Sequence, residues 1–138
     1  MIKIVVAAHG NFAKSLVETV VLIAGKQENI YAISNEKNDS LIQLQNKIQT
    51  LLSEIIDDDG VLILTDMIGS SLNNASCKMF NIFNNVEIIS GVNLPMLLSA
   101  MFASKTIKNV LQLSENVFAE SQKSMVSVRK ALSDKNDI

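Results

Sequence analysis

The chain contains one histidine, His9, which closes an apolar run (Lys3-Ile4-Val5-Val6-Ala7-Ala8) and precedes Gly10 and Asn11. An imidazole becomes a nucleophile near neutral pH when a neighbour fixes one ring nitrogen as N–H and leaves a lone pair on the other. A carboxylate suits that task, and Asp66 closes a second apolar run, Val61-Leu62-Ile63-Leu64-Thr65. Such a partner would orient the ring and stabilise the positive charge it gains during attack. Gly10 and Asn11 stand where one helix is expected to start, and Gly69, Ser70 and Ser71 where another is. Free N–H groups and the dipole at helix starts bind phosphate. The chemistry these residues suggest is a phosphoryl group held on His9, with Asp66 as its orienter and Gly10, Asn11, Gly69, Ser70 and Ser71 as phosphate contacts. No metal or cofactor is called for. The same residues also fit plainer roles: a packed structural histidine, an aspartate capping a turn, serines capping a helix.

The elements that would bring these residues together follow from hydrophobic periodicity. Lys3 to Ala8 is short, β-branched and almost continuously apolar, as a buried parallel strand should be. Phe12, Leu16, Val20 and Ile23 then recur at helical spacing up to Gly25. Asn29 to Ser34 predicts a second strand. Ser40 and Gln43 are spaced as a capping box for a helix whose stripe is Leu41, Leu44, Ile48, Leu51 and Ile55. Val61 to Thr65 is the third strand, and Gly69-Ser70-Ser71 opens a helix carrying Leu72, Ala75, Met79 and Phe80. Val86 to Ser90 is the fourth strand. Asn93 is placed to cap a further helix with Pro95 in its first turn and Leu97, Leu98, Met101 and Phe102 on its apolar face. Ile107 to Leu113 alternates in part, leaving room for a fifth, edge strand, and Val117 to Leu132 reads as one helix.

This alternation predicts an α/β fold: a doubly wound, mainly parallel sheet of order 2-1-3-4 with helices on both faces. The first and third strands are then neighbours at the point where the winding reverses, the place where open α/β sheets bind ligands. His9 and Asp66 meet there. We expect a single domain over residues 1–138, with residues 134–138 a frayed tail.

Composition removes other classes. Of 138 residues, 48% are hydrophobic and 19% charged, which argues against disorder. No apolar run approaches the roughly 18 residues that span a bilayer. The apolar N-terminus has no basic leader and breaks at His9-Gly10-Asn11, so a cytoplasmic location is expected. The one cysteine, Cys77, precludes an internal disulfide and reads as a buried bystander. The net charge of −2, scattered basic residues and few aromatics give no nucleic-acid footprint. Dinucleotide and P-loop motifs are absent, as is a nucleophile elbow. A receiver-type phosphoacceptor would need acids where Ala8 and His9 stand. A histidine phosphatase needs an arginine before its histidine and a second histidine, and chelatases use further histidine ligands.

Three stretches, AAHGNFAKSL, VLILTDMIGSSLNNAS and EIISGVNLPMLL, carry a resemblance. The chain resembles the enzyme IIA components of the mannose/fructose/sorbose class of the bacterial sugar phosphotransferase system, over roughly residues 1–103. GVNLPML is the most specific segment. The resemblance implies a phosphotransferase component working through a phosphohistidine. His9 would take a phosphoryl group from the carrier HPr and pass it to an enzyme IIB for sugar uptake and phosphorylation, with the membrane IIC and IID components involved only indirectly. It also implies a homodimer, with the segment from Ile107 onward a candidate contact. The turn after Asp66 departs from the family's common Gly-Gly-Ser-Pro, reading Gly69-Ser70-Ser71-Leu72. Compared position by position, Ser70 replaces a glycine and Leu72 the proline. Two other functions share these features: the phosphotransfer subunit of a dihydroxyacetone kinase, and a regulatory module read through phosphorylation of His9.

Overall fold

The structure, a computed structural model, describes residues 1–138. Strands β1 (Lys3–His9), β2 (Ile30–Asn35), β3 (Val61–Thr65) and β4 (Val86–Ser90) form one sheet in the order β2-β1-β3-β4, with every pairing parallel. The strands read as continuous apolar runs because helices cover both faces. Ile4, Val6, Ala8, Leu62 and Leu64 face one core, while Val5, Ala7, Val61 and Ile63, alternating with them along the chain, face the other.

Helices α1 (Phe12–Ala24), α4 (Leu94–Ala103) and α5 (Val110–Gln122) close the first core through Ala13, Val20, Leu97, Ala100, Met101, Leu113 and Val117. Helices α2 (Leu41–Ile55) and α3 (Ser71–Cys77) close the second through Leu44, Ile48, Leu52, Leu72 and Ala75. The capping box at Ser40 and Gln43 is formed, satisfying two N–H groups that the first turn of α2 would otherwise strand. Asn93 caps α4 by accepting from the Met96 N–H, with Pro95 in the first turn, where its missing N–H costs nothing.

The second half departs from the sequence reading in several places. No fifth strand exists: residues 107–109 are a connection, and α5 begins at Val110. Asn109 accepts from the Gln112 N–H, and Val110, Leu113 and Val117 bury one helical face, so the partial alternation was one turn of a helix seen edge-on. The long helix expected over Val117 to Leu132 is divided into α5 and α6 (Val128–Asp134), and α6 buries no residue. After Cys77 the α3 helix tightens into a 3-10 turn, Lys78–Asn81, so Met79 and Phe80 lie beyond α3 proper. Cys77 is exposed. It follows Ala75 and Ser76, whose face of the short helix takes up the packing. Phe12, Ile23 and Leu41 are likewise exposed; Ala13, Val20, Leu44 and Ile48 carry the packing of those two helices instead.

Candidate functional site

Register sets the site. Ala7 of β1 pairs with Thr65 of β3, so His9 and Asp66 emerge together just past the last paired rung, at the C-terminal rim of two adjacent strands. His9 Nδ1 lies 2.5 Å from Asp66 Oδ2, and the His9 backbone N–H donates to the same oxygen at 2.9 Å. Asp66 Oδ1 accepts from the Met67 N–H at 2.9 Å and from the Ser70 hydroxyl at 3.1 Å. The carboxylate therefore holds four donors, two on each oxygen.

Burial opposes ionisation of Asp66. The hydrogen bonds from the His9 ring, the His9 N–H, the Met67 N–H and the Ser70 hydroxyl outweigh it, so this carboxyl ionises below the usual range. An ionised carboxylate only accepts, so the bonded ring nitrogen Nδ1 carries the proton and the lone pair is left on Nε2. The two side chains differ in exposure as this division of labour needs: Asp66 is 15% exposed and His9 49%. Nε2 makes no hydrogen bond within the chain, on a ring that is half exposed.

The surroundings come from two helix starts. Gly10 and Asn11 lead into α1, whose N-cap Asn11 makes no side-chain capping bond. On the other side, Gly69 adopts φ +81°, a conformation glycine reaches without strain, and turns the chain from the β3 rim into α3. The backbone N–H groups of Asn11, Gly69 and Ser71 make no hydrogen bond within the chain. Ser70, 5% exposed, is fully engaged: its N–H donates to the Met67 carbonyl, and its hydroxyl bonds Asp66 and the Asn73 N–H.

Ser70 is the N-cap of α3 and Ser71 its first residue, the position that suits proline. Sequence reasoning missed Thr65 and Asn73, whose side chains bond each other at 2.9 Å beneath the turn. The available signal was an asparagine three residues after a serine cap. Met67 and Ile68, which lead into the same turn, are 59% and 80% exposed beside the site.

The family model described as PTS system fructose IIA component matches residues 3–118. The chain belongs to this family. As an EIIA component of the mannose class it is 30% identical over 124 residues to the PTS system fructose-specific EIIA component of Bacillus subtilis, covering 90% of this chain and 84% of that one. It is 33% identical over 102 residues to the PTS system mannose-specific EIIAB component of Escherichia coli, covering 74% of this chain and 32% of that one. The chain thus spans about a third of the mannose-specific EIIAB relatives. Among solved structures, phosphotransferase system component EIIA from Streptococcus agalactiae superposes with a TM-score of 0.84 at 30% identity, covering 94% of this chain and 99% of that one. The mannose/sorbose specific IIA subunit from Enterococcus faecalis has the same fold, with a TM-score of 0.84 at 22% identity, covering 92% and 94% of the two chains. Like other EIIA components, the chain is a component of a phosphotransferase. No helix is long and apolar enough to cross a membrane.

Proposed function

We propose that the chain is a phosphocarrier of sugar uptake in which His9 Nε2 accepts a phosphoryl group from a histidine of HPr and passes it to enzyme IIB. The observation that carries this reading is the 2.5 Å contact of His9 Nδ1 with Asp66, which leaves Nε2 as the free lone pair on a half-exposed ring. In the forward step the Nε2–P bond forms as the N–P bond on the donor histidine breaks, in line and with no net consumption of protons. The return step to IIB repeats this with the roles exchanged. Phosphoryl transfer between two nitrogens needs positioning and charge stabilisation rather than further covalent help. Asp66, held ionised by its four donors, stabilises the positive ring of the transition state and keeps Nδ1–H in place while phosphate resides on Nε2.

The phosphoryl oxygens are assigned to Gly10, Asn11, Gly69 and Ser71, with the free N–H groups of Asn11, Gly69 and Ser71 in support. Ser70 belongs to the same turn, its hydroxyl engaged by Asp66. Family membership supports HPr as donor and IIB as acceptor, a cytoplasmic location for a single domain over residues 1–138, and a homodimer. The tail supports the last of these: Met125, Val126 and Val128 are exposed, and α6 packs nothing of its own into the core.

The test is the intact mass of the protein after incubation with phosphoenolpyruvate, enzyme I and HPr, wild type beside His9→Ala. A gain of one phosphoryl mass, lost in mild acid and absent from the variant, is expected. A folded wild-type protein that gains nothing from a matching HPr would overturn the reading.

A further inference from the structure

A carboxylate rotates readily about its terminal torsion, which is broad and roughly two-fold. To keep Oδ2 on both the ring and the N–H of His9, something must hold Oδ1. The Met67 N–H belongs to the next residue and moves with Asp66 itself. Ser70, four residues on and fixed at the start of α3, does not. Its hydroxyl accepts from the Asn73 N–H at 3.1 Å, which directs its single proton towards Asp66. Asn73 is itself tied to the sheet, since the Thr65 hydroxyl donates to Asn73 Oδ1 at 2.9 Å. The hydrogen bonds therefore close a ring through Thr65, Asn73, Ser70 and Asp66, joining the end of β3 to the start of α3. Thr65, Ser70 and Asn73 are all at most 5% exposed, so water competes little for these bonds.

Capping α3 requires only that Ser70 accept from Asn73. The second bond, donation to Asp66, lies outside that role. We propose that Ser70 is a positioning residue for phosphoryl transfer at His9: its hydroxyl, braced by Asn73 and Thr65, holds Asp66 Oδ1 so that Oδ2 stays on the imidazole. The proposal rests on the phosphocarrier reading for its consequence and on geometry alone for its structural part. The bond from Ser70 is also among those that keep Asp66 ionised. His9 is the one ionisable side chain in contact with Asp66.

Ser70→Gly separates the two roles of the hydroxyl, because glycine is itself a serviceable N-cap. In the unphosphorylated protein, carbon-detected titration should place the Asp66 carboxyl at higher pH than in wild type. Nitrogen shifts of the His9 ring should show a smaller fraction protonated at Nδ1. Phosphoryl uptake from phospho-HPr should slow on the order of tenfold, with its acid limb moved to higher pH. Ser70→Ala should give the same shifts, and Ser70→Thr, which keeps the hydroxyl, should return uptake to within about threefold. If both removals lower stability but leave the Asp66 titration and the ring tautomer as in wild type, Ser70 is a cap only and the proposal is overturned. The two spectroscopic readouts need no phosphoryl donor. A wild-type protein that takes no phosphate would sink the carrier reading and leave this result standing.

Discussion

His9 Nδ1 and Asp66 Oδ2 are 2.5 Å apart across 57 residues of chain, and the same oxygen also receives the backbone N–H of His9. The side chain of one strand end thus grips the other strand end twice, by ring and by backbone. The backbone bond fixes Asp66 Oδ2 relative to the end of β1, and so fixes where the imidazole finds its orienter.

Asp66→Asn keeps the size of the side chain and removes its charge. The amide can no longer fix the proton on Nδ1 by charge, nor stabilise the positive ring. Phosphoryl uptake from phospho-HPr should fall on the order of a hundredfold, measured by rapid quench, with the far-ultraviolet circular dichroism unchanged.

His9→Ala removes the largest of the interactions that lower the Asp66 carboxyl. With the ring gone and burial still opposing ionisation, Asp66 should titrate at higher pH than in wild type. Carbon-detected titration of the two proteins checks this, and an unchanged midpoint would contradict the geometry.

Stability should fall in acid for a stated reason. Asp39 is held below its ordinary value chiefly by the Lys47 hydrogen bond, and Asp57 chiefly by Lys3. Burial opposes ionisation of Asp66, and its four hydrogen bonds still hold it low. All three bind protons more weakly folded than unfolded, so their contribution is complete above the unfolded value of about 4 and is lost as pH falls through the lower folded values. Urea midpoints should be level from pH 7 to about 5 and drop below about 4. Lys3→Met and Lys47→Met should each flatten that drop, since each removes the partner that lowers its aspartate.

Gly60→Ala should destabilise the fold. Gly60 adopts φ +93°, and an added Cβ would lie 2.5 Å from the Asn85 carbonyl oxygen and 3.1 Å from Val110. Left-handed backbone strain alone costs about 1–3 kcal/mol, and the clash with fixed backbone adds to it. A loss of at least about 2 kcal/mol is expected in urea unfolding. The His9 site, at the opposite ends of the strands, should retain its Asp66 titration.

Much of the fold was legible because a parallel sheet buries both its faces. Strands such as Val61–Thr65 must then be apolar throughout, and a helix such as α2 must show one stripe and a cap. Two strand ends carrying a histidine and an aspartate could be placed side by side from the topology alone. The C-terminal third was less legible. Residues 107–113 carry too few apolar positions to separate alternation from a helical face, and only the seat that Leu113 and Val117 take in the first core decides between them. Cys77 was misplaced for a related reason: a helix of 7 residues is too short for its pattern to say which side packs.

Local sequence by itself determined the β1 to β4 strands, the caps at Ser40 and Asn93, and the residue types that can carry a phosphoryl group. Each of these depends on the chemistry of a few neighbouring residues. Tertiary structure alone decided what those residues do to one another. The ring of bonds through Thr65, Asn73, Ser70 and Asp66, the protonation of His9 at Nδ1 and the ionised Asp66 all require a distance between elements to be set to within about half an ångström. Only the packed sheet and helices set distances that closely.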